Sequence, residues 1–160
     1  MIGFKKRKSL ILLVTFLLCF SLFVTQAFSL SLEETISRRE SVRSYSSGSV
    51  PRNQFLDLLK SAYGHTSGQG TTPKIGSDYS LIIYTLNETG SYQYNPQTNS
   101  LNAYDLNVNK ETIRPYDSNW PSNAKEVLVI VWDKNRMSNP LFAGAEAGCV
   151  AQNVYMAASS

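Results

Sequence analysis

Apolar residues recur at helical spacing in two segments in the first half of the chain. Ser31–Glu34 has the pattern of a capping box, and Leu32 and Ile36 then give a short helix one apolar face. In the second segment, Pro51 suits the first turn of a helix and Gly64 suits the residue after its end. The apolar positions between them that share one helical face are Phe55, Leu58, Leu59 and Ala62. The pattern therefore predicts two helices.

The middle of the chain changes to the composition and the period of β-strands. Tyr79–Leu86 is rich in β-branched and aromatic residues, which predicts a buried strand. Tyr92–Tyr94 alternates between aromatic and polar side chains, and the turn Asn95–Asn99 leads from it into Leu101–Leu106, which predicts a hairpin. Val127–Trp132 is an unbroken apolar run and is expected to form a fully buried strand.

The remaining segments complete the predicted order of elements. Residues 64–78 are rich in Gly, Ser and Thr and are expected to form a loop, and residues 107–122 are expected to be irregular. From about Phe142 the small and apolar residues predict a closely packed helix that runs to Ser160. The order helix, helix, strand, hairpin, strand, helix indicates an α+β fold with a mainly antiparallel sheet packed against helices. Because nothing stops or follows the last helix, we expect the domain to be partial, incomplete at its C-terminus.

The first 29 residues have the three parts of a secretory signal peptide. Lys5–Lys8 is basic, Leu10–Val24 is apolar, and Ala27–Ser29 has small residues at both positions of a cleavage site. The alternative is an uncleaved membrane anchor, because Leu10–Phe28 approaches the length that spans a bilayer. In both cases residues 30–160 are expected to be exported, to a periplasmic or extracellular location or anchored to the membrane and facing outward. The membrane is expected as a partner only through the N-terminal segment.

The charge balance of the chain indicates which class of macromolecule could be its partner. The chain has a formal net charge of +3, from 15 basic and 12 acidic residues. Four of the basic residues lie in Lys5–Lys8, so the rest of the chain has 11 basic and 12 acidic residues. This balance gives no indication of a nucleic-acid partner.

Cys149 is the only cysteine after the N-terminal segment, so packing, a partner subunit or a bound ligand must stabilise the domain in place of a disulfide.

A cationic cluster with hydroxyl groups follows the first predicted helix. In the stretch RRESVRSY, Arg39, Ser41 and Arg43 occupy alternate positions, so their side chains point the same way if the backbone is extended there. Two guanidinium groups and a hydroxyl group that converge can bind a phosphate. The alternative is a solvated helix end, whose cations interact with the helix dipole and pair with the glutamates between residues 33 and 40.

Other candidate residues favour structural roles. His65 is the only histidine and has no second ligand nearby in the sequence, so no metal site is predicted. Cys149 lies in the helix of small residues, where a buried and inert thiol is expected rather than a nucleophile. No serine has the glycine-flanked setting of a hydrolase nucleophile. The residues alone therefore leave the catalytic residues unknown and indicate an exported α+β domain with one candidate anion site.

Four stretches of the sequence resemble a known family of flavoenzymes, the nitroreductases. The first contains the arginine and serine cluster, and the last is the long final helix. Together they cover essentially all of the exported part, and the later three are similar to the branch that contains the SagB-type azoline dehydrogenases. The stretches are Ile36–Tyr45 with the helix Phe55–Ala62, then Pro73–Tyr84, Gly90–Pro96 and Glu146–Ala158.

The resemblance implies an FMN-dependent oxidoreductase. It assigns Arg39, Ser41 and Arg43 to the phosphate and the ribityl chain of FMN. It also implies a homodimer with two FMN sites at its interface. A nicotinamide nucleotide, NADH or NADPH, would reduce the flavin, hydride or electrons would pass on to a small organic acceptor, and the protein would supply orientation and electrostatics.

The segment Pro73, Lys74 and Ile75 would pass beside the isoalloxazine ring in such an enzyme. The family commonly has serine where this chain has Lys74, and a lysine there would favour negative charge on the reduced ring. The lysine–tyrosine motif expected before the last helix of azoline dehydrogenases is absent from Asn139–Gly144, which argues against azoline oxidation. Because family members continue past this helix, the alternative function is a degenerate nitroreductase-like protein that binds a partner or ligand without redox turnover.

Overall fold

The structure of the chain is a computed structural model. It describes residues 30–66, 68–74, 79–113 and 123–159. The chain divides after Leu32 into two units, and the second unit, Glu33–Ser160, contains the sheet and the helices that pack on it. The predicted signal peptide or anchor, residues 1–29, lies outside the described residues, so it stays a prediction, as does the domain boundary at residue 30. None of the described helices is both long enough and apolar enough to cross a membrane.

Four helices lie in the described part of the chain. α1 (Leu32–Arg38) begins directly after Ser31, as the capping pattern predicts. α2 (Arg52–Tyr63) is the second predicted helix, and α4 (Pro140–Ser159) is the long helix predicted from composition. α3 (Lys110–Ile113) is a single turn within the segment that was expected to be irregular.

The two ends of α2 differ in detail from their prediction. Pro51 lies just before the helix rather than in its first turn. Gly64 follows the helix with a φ of −97° and a ψ of −169°, so it lacks the left-handed conformation typical of a glycine at this position. Its amide donates to the carbonyl of Lys60 at 2.8 Å, and a Cβ on Gly64 would lie 2.4 Å from that oxygen. Glycine is therefore required here for space.

A short hairpin occupies part of the glycine-rich segment after α2. β1 (His65–Thr66) and β2 (Gln69–Gly70) pair antiparallel, with His65 opposite Gly70. The prediction of a loop across residues 64–78 is therefore wrong for this part. Strands of two residues have no detectable period, so the sequence pattern could not indicate them.

A four-stranded antiparallel sheet forms the centre of the fold. Its strands are β3 (Leu81–Asn87), β4 (Gly90–Asn95), β5 (Ser100–Asp105) and β6 (Val127–Trp132). The order across the sheet is β5–β4–β3–β6, so among the described residues β3 and β4 are central and the other two strands are at the edges. Short turns join β3 to β4 and β4 to β5. The predicted hairpin of β4 and β5 and the predicted antiparallel sheet are both confirmed.

The core lies between one face of the sheet and the helices α2 and α4. Leu59 of α2 and Val150 of α4 are fully buried, and both belong to the cluster that contains Leu81 and Ile83 of β3. Burying an aliphatic side chain of this size stabilises a fold by about 1.5–3 kcal/mol. The cluster also includes Phe55, Ala62, Tyr63 and Tyr94. A sheet packed against helices in this way confirms the predicted α+β class.

Strand β6 is less buried than its composition predicts. Its residues are half-buried except Val131, which is exposed. β6 lies at an edge of the sheet and pairs with β3 on one side, Val127 opposite Leu86 and Trp132 opposite Leu81. The prediction of a fully buried strand is therefore wrong, because an apolar run reports hydrophobicity but not the position of a strand within its sheet.

Helix α4 carries apolar side chains that the described chain leaves uncovered. Of its residues, Ala143, Glu146 and Val150 are buried, whereas Leu141 is 79% exposed and Phe142 is 47% exposed. Exposed apolar surface of this kind is typical of a helix that packs against a further partner.

Candidate functional site

The arginine and serine cluster lies in a segment that leaves α1. Residues 39–50 belong to no helix or strand. Arg38, the last residue of α1, pairs with Glu34 one turn earlier. The amide of Arg39 donates to the carbonyl of Ile36, three residues earlier, at 3.3 Å. The helix itself ends at Arg38, close to the predicted position.

Arg39, Ser41 and Arg43 are exposed and do not pair with any carboxylate of the described chain. The guanidinium carbon of Arg39 lies 5.5 Å from the ring centroid of Tyr155 on α4, a cation–π contact. Ser41 and Arg43 make no side-chain hydrogen bond within the described residues. Because no contact joins the three side chains to one another, their convergence on one phosphate stays a prediction.

A cleft of about 390 Å³ separates this segment from the end of α4. Glu40 and Val42 line it on one side and Val154 on the other. Tyr45 of the same segment lines it as well, so the lining does not follow a strict alternation of side chains. Ser41 and Arg43 are not among the lining residues, whereas the guanidinium group of Arg39 reaches the ring of Tyr155.

The chemistry of the cluster fits the phosphate of a mononucleotide. Two guanidinium groups offer paired N–H donors, and the serine hydroxyl offers one more. The expected alternative, pairing with nearby glutamates, is found for Arg38 but not for Arg39 or Arg43 within the described residues. The donors of the cluster are therefore available to an anion.

The segment that precedes the predicted flavin contact is anchored to two helices. The hydroxyl of Thr72 donates to the carbonyl of Ala62 in α2 at 2.9 Å. Asn153 of α4 donates through Nδ2 to the carbonyls of Thr71 and Ala62, at 3.2 Å and 3.3 Å. These bonds fix the position from which the chain continues to Pro73.

Pro73 and Lys74 are exposed, and Ile75 lies outside the described residues. The ammonium nitrogen of Lys74 is 6.0 Å from the ring centroid of Tyr79, at the outer limit of a cation–π contact. Both residues thus lie on the surface directly after the anchored threonines. Their predicted contact with a flavin ring stays a prediction.

A buried carboxylate, which sequence reasoning missed, joins three parts of the fold. The side chain of Glu146 on α4 is fully buried. Tyr63 of α2 donates its hydroxyl to Oε1 of Glu146 at 3.0 Å. Ser80 donates its hydroxyl to Oε2 at 2.6 Å and its amide to both oxygens at 3.3 Å. The carboxylate therefore fixes the start of β3 against both helices.

The tyrosine of this network is held in its neutral form. Burial, as the largest cause, raises the pKa of Tyr63 far above its usual value, while the hydrogen bond from the Leu81 amide acts in the opposite direction. The negative charge of Glu146 raises the pKa further. Burial also raises the pKa of Tyr94 to about 12. Both hydroxyl groups therefore remain protonated at ordinary pH, and Tyr63 acts as a fixed donor that positions its neighbours.

Glu146 and Asn153 leave a signal in the sequence that could have identified them. They are polar residues seven positions apart, on one face of a helix that is otherwise mostly small and apolar. Charged residues are rarely buried unless they are paired, so a charge on such a face indicates a buried partner. The partners themselves, Tyr63 and Ser80, are 83 and 66 residues away in the sequence, where no local pattern reveals them.

Within the described ranges, no group of three or more His, Cys, Asp and Glu residues could hold a metal ion. The ring of His65 packs 5.7 Å from the ring of Tyr79. Cys149 is half-buried on α4.

Comparison with known proteins identifies the family. The model of the nitroreductase family matches residues 36–160. A Methanocaldococcus jannaschii protein assigned as a nitroreductase is 31% identical over 147 residues, which cover 82% of this chain and 74% of that protein. A crystal structure of a Ralstonia eutropha JMP134 protein assigned as a nitroreductase has a TM-score of 0.70 at 23% identity, covering 84% of this chain and 68% of the other. The structural likeness shows the same fold, and the sequence match to the Methanocaldococcus jannaschii protein together with the family model, which spans the arginine cluster and α4, shows that the chain belongs to the nitroreductase family.

Proposed function

We propose that the protein is an FMN-dependent oxidoreductase that accepts hydride from NADH or NADPH and passes electrons to a small organic acceptor. Membership of the nitroreductase family supports flavin-dependent oxidoreductase chemistry. The observation that carries the cofactor assignment is that Arg39, Ser41 and Arg43 are exposed and have no carboxylate partner among the described residues. A phosphomonoester would supply that anionic partner.

In this proposal the residues of the chain hold and tune the cofactor. Arg39 and Arg43 bind the phosphate group, and Ser41 donates its hydroxyl to a phosphate or ribityl oxygen. FMN, when bound, supplies the hydride-transfer chemistry. The exposed ammonium group of Lys74 lies in the segment predicted to run beside the ring, where a positive charge favours negative charge on the ring.

The proposal includes a homodimer and an exported location. The exposed apolar side chains of α4, such as Leu141 and Phe142, support a second subunit as partner. The basic and apolar pattern of residues 1–29 supports export. A peptide-modifying dehydrogenase of the SagB type is disfavoured, because the lysine–tyrosine motif expected in azoline dehydrogenases is absent from Asn139–Gly144.

Oxidation of the nicotinamide nucleotide by the purified chain tests this function. In the absence of dioxygen, we expect the absorbance of NADH or NADPH to fall much faster when protein, FMN and an organic acceptor such as p-benzoquinone are all present than when any one of them is left out, because the flavin must be reduced and then reoxidised in each cycle. The matched control contains FMN and the acceptor without protein. Tight FMN binding with no turnover for either nucleotide would contradict the proposed activity and support the alternative of a binding protein without redox turnover.

A further inference from the structure

The two central strands separate at one end of the sheet. β3 pairs with β6 along Leu81–Leu86, but its pairing with β4 begins only at Tyr84, opposite Gln93. The amide of Leu81 donates to the hydroxyl of Tyr63 at 3.1 Å instead of to β4. Because the Glu146 network holds Tyr63 in this position, the strands stay apart and a cavity opens between them.

The cavity has the size and the aromatic wall of a small-molecule site. Its volume is about 470 Å³, and small-molecule sites usually have about 300–1,000 Å³. Tyr63, Tyr79 and Tyr94 line it, and the rings of Tyr63 and Tyr79 meet edge to face with centroids 5.8 Å apart. Ring edges and faces of this kind favour a second flat aromatic ring.

One charged side chain lines the same cavity. The amides of Gln93 on β4 and Asn102 on β5, which lie opposite each other, point to the face of the sheet away from Tyr94, because neighbouring side chains of a strand alternate in direction. Arg136 is the one lining residue with a full charge among those the structure describes. Its ion pair with Asp133 runs through Nε at 3.2 Å, so its two terminal nitrogens remain for another anion.

We propose that this cavity binds a small aromatic carboxylate, with the ring against the tyrosines and the carboxylate on Arg136. A carboxylate is the anion whose geometry matches the two terminal N–H groups of a guanidinium. None of Arg39, Ser41 and Arg43 lines the cavity. The site is therefore separate from the predicted phosphate site, and it does not rest on the proposed redox function.

Calorimetric titration of the full chain with 2-naphthoate tests this site, with neutral 2-naphthamide as the matched probe. We expect saturable binding of 2-naphthoate at one site per chain, with or without FMN. The amide should bind about tenfold more weakly or worse, because it cannot form the charge-assisted hydrogen bonds. Arg136→Gln should weaken 2-naphthoate binding by about tenfold or more and leave 2-naphthamide binding nearly unchanged.

Two further variants separate local recognition from general effects. Lys134→Gln removes an exposed positive charge that lies over the Trp132 ring, 5.6 Å away and outside the lining, and it should change 2-naphthoate affinity by less than about twofold. Gln97→Trp adds a large side chain at an exposed position that lines the cavity, and it should weaken the binding of both probes while leaving the circular dichroism spectrum intact. Equal affinity for the two probes, equal losses in Arg136→Gln and Lys134→Gln, or the absence of saturable 2-naphthoate binding would each overturn the proposal.

Discussion

Glu146→Gln is expected to lower the free energy of unfolding by about 2–4 kcal/mol, the range for a buried charged group that loses its hydrogen-bond partners. The side chain is fully buried, and the groups that contact it are all donors, the Tyr63 hydroxyl and the hydroxyl and amide of Ser80. A glutamine would direct its own amide donors at one of them. A hydroxyl at that position would have to turn in order to accept, and the Ser80 amide, which donates to both oxygens and cannot accept, would face a second donor at the point where α2, α4 and β3 meet.

Chemical denaturation followed by circular dichroism measures this effect. The matched control is Asp57→Asn, which changes an exposed carboxylate in the middle of α2 and should alter the free energy of unfolding by less than about 0.5 kcal/mol. A Glu146→Gln variant as stable as the native chain would show that the carboxylate does not accept these bonds, and the network described above would be wrong.

Arg39→Ala and Arg43→Ala are each expected to weaken FMN binding by about 1.5–3 kcal/mol, the range for hydrogen bonds to charged groups. This corresponds to a loss of affinity of about 10-fold to 150-fold. Each change removes a guanidinium group that has no carboxylate partner in the described chain. Fluorescence titration of FMN with each variant measures the loss.

Arg38→Ala is the matched control for these two variants. Arg38 lies in the same run of charges but is paired with Glu34, so its removal should reduce FMN affinity by much less than either cluster arginine. If Arg39→Ala and Arg43→Ala bind FMN as tightly as the native chain, the cluster is solvated surface and the phosphate assignment is wrong. If all three variants lose affinity equally, the effect is general electrostatic attraction rather than a site.

The elements that could be predicted are those whose pattern is local. The apolar face of α2 and the alternation of β4 each lie within a few consecutive residues, so the sequence is sufficient for them. The hairpin of β1 and β2 is too short for a period. The half-buried state of β6 depends on its edge position, which is a property of the assembled sheet.

The residues of the candidate site also differ in whether a local pattern in the sequence could predict them. Arg39, Ser41 and Arg43 could be singled out because they lie within one short stretch, where the chemistry of their side chains and their alternate spacing are visible in the sequence. Glu146 and Asn153 were missed because their partners come from α2 and the segments that follow it, far away along the chain. Tertiary packing alone decides whether a polar residue on an apolar helix is buried and paired.

Titration of the purified chain with FMN tests the central claim most directly, with riboflavin as the matched ligand because it has the same ring and no phosphate. The account predicts saturable quenching of FMN fluorescence and at least about tenfold weaker binding of riboflavin. Protein that leaves FMN fluorescence unchanged, or that binds riboflavin as tightly as FMN, would contradict it.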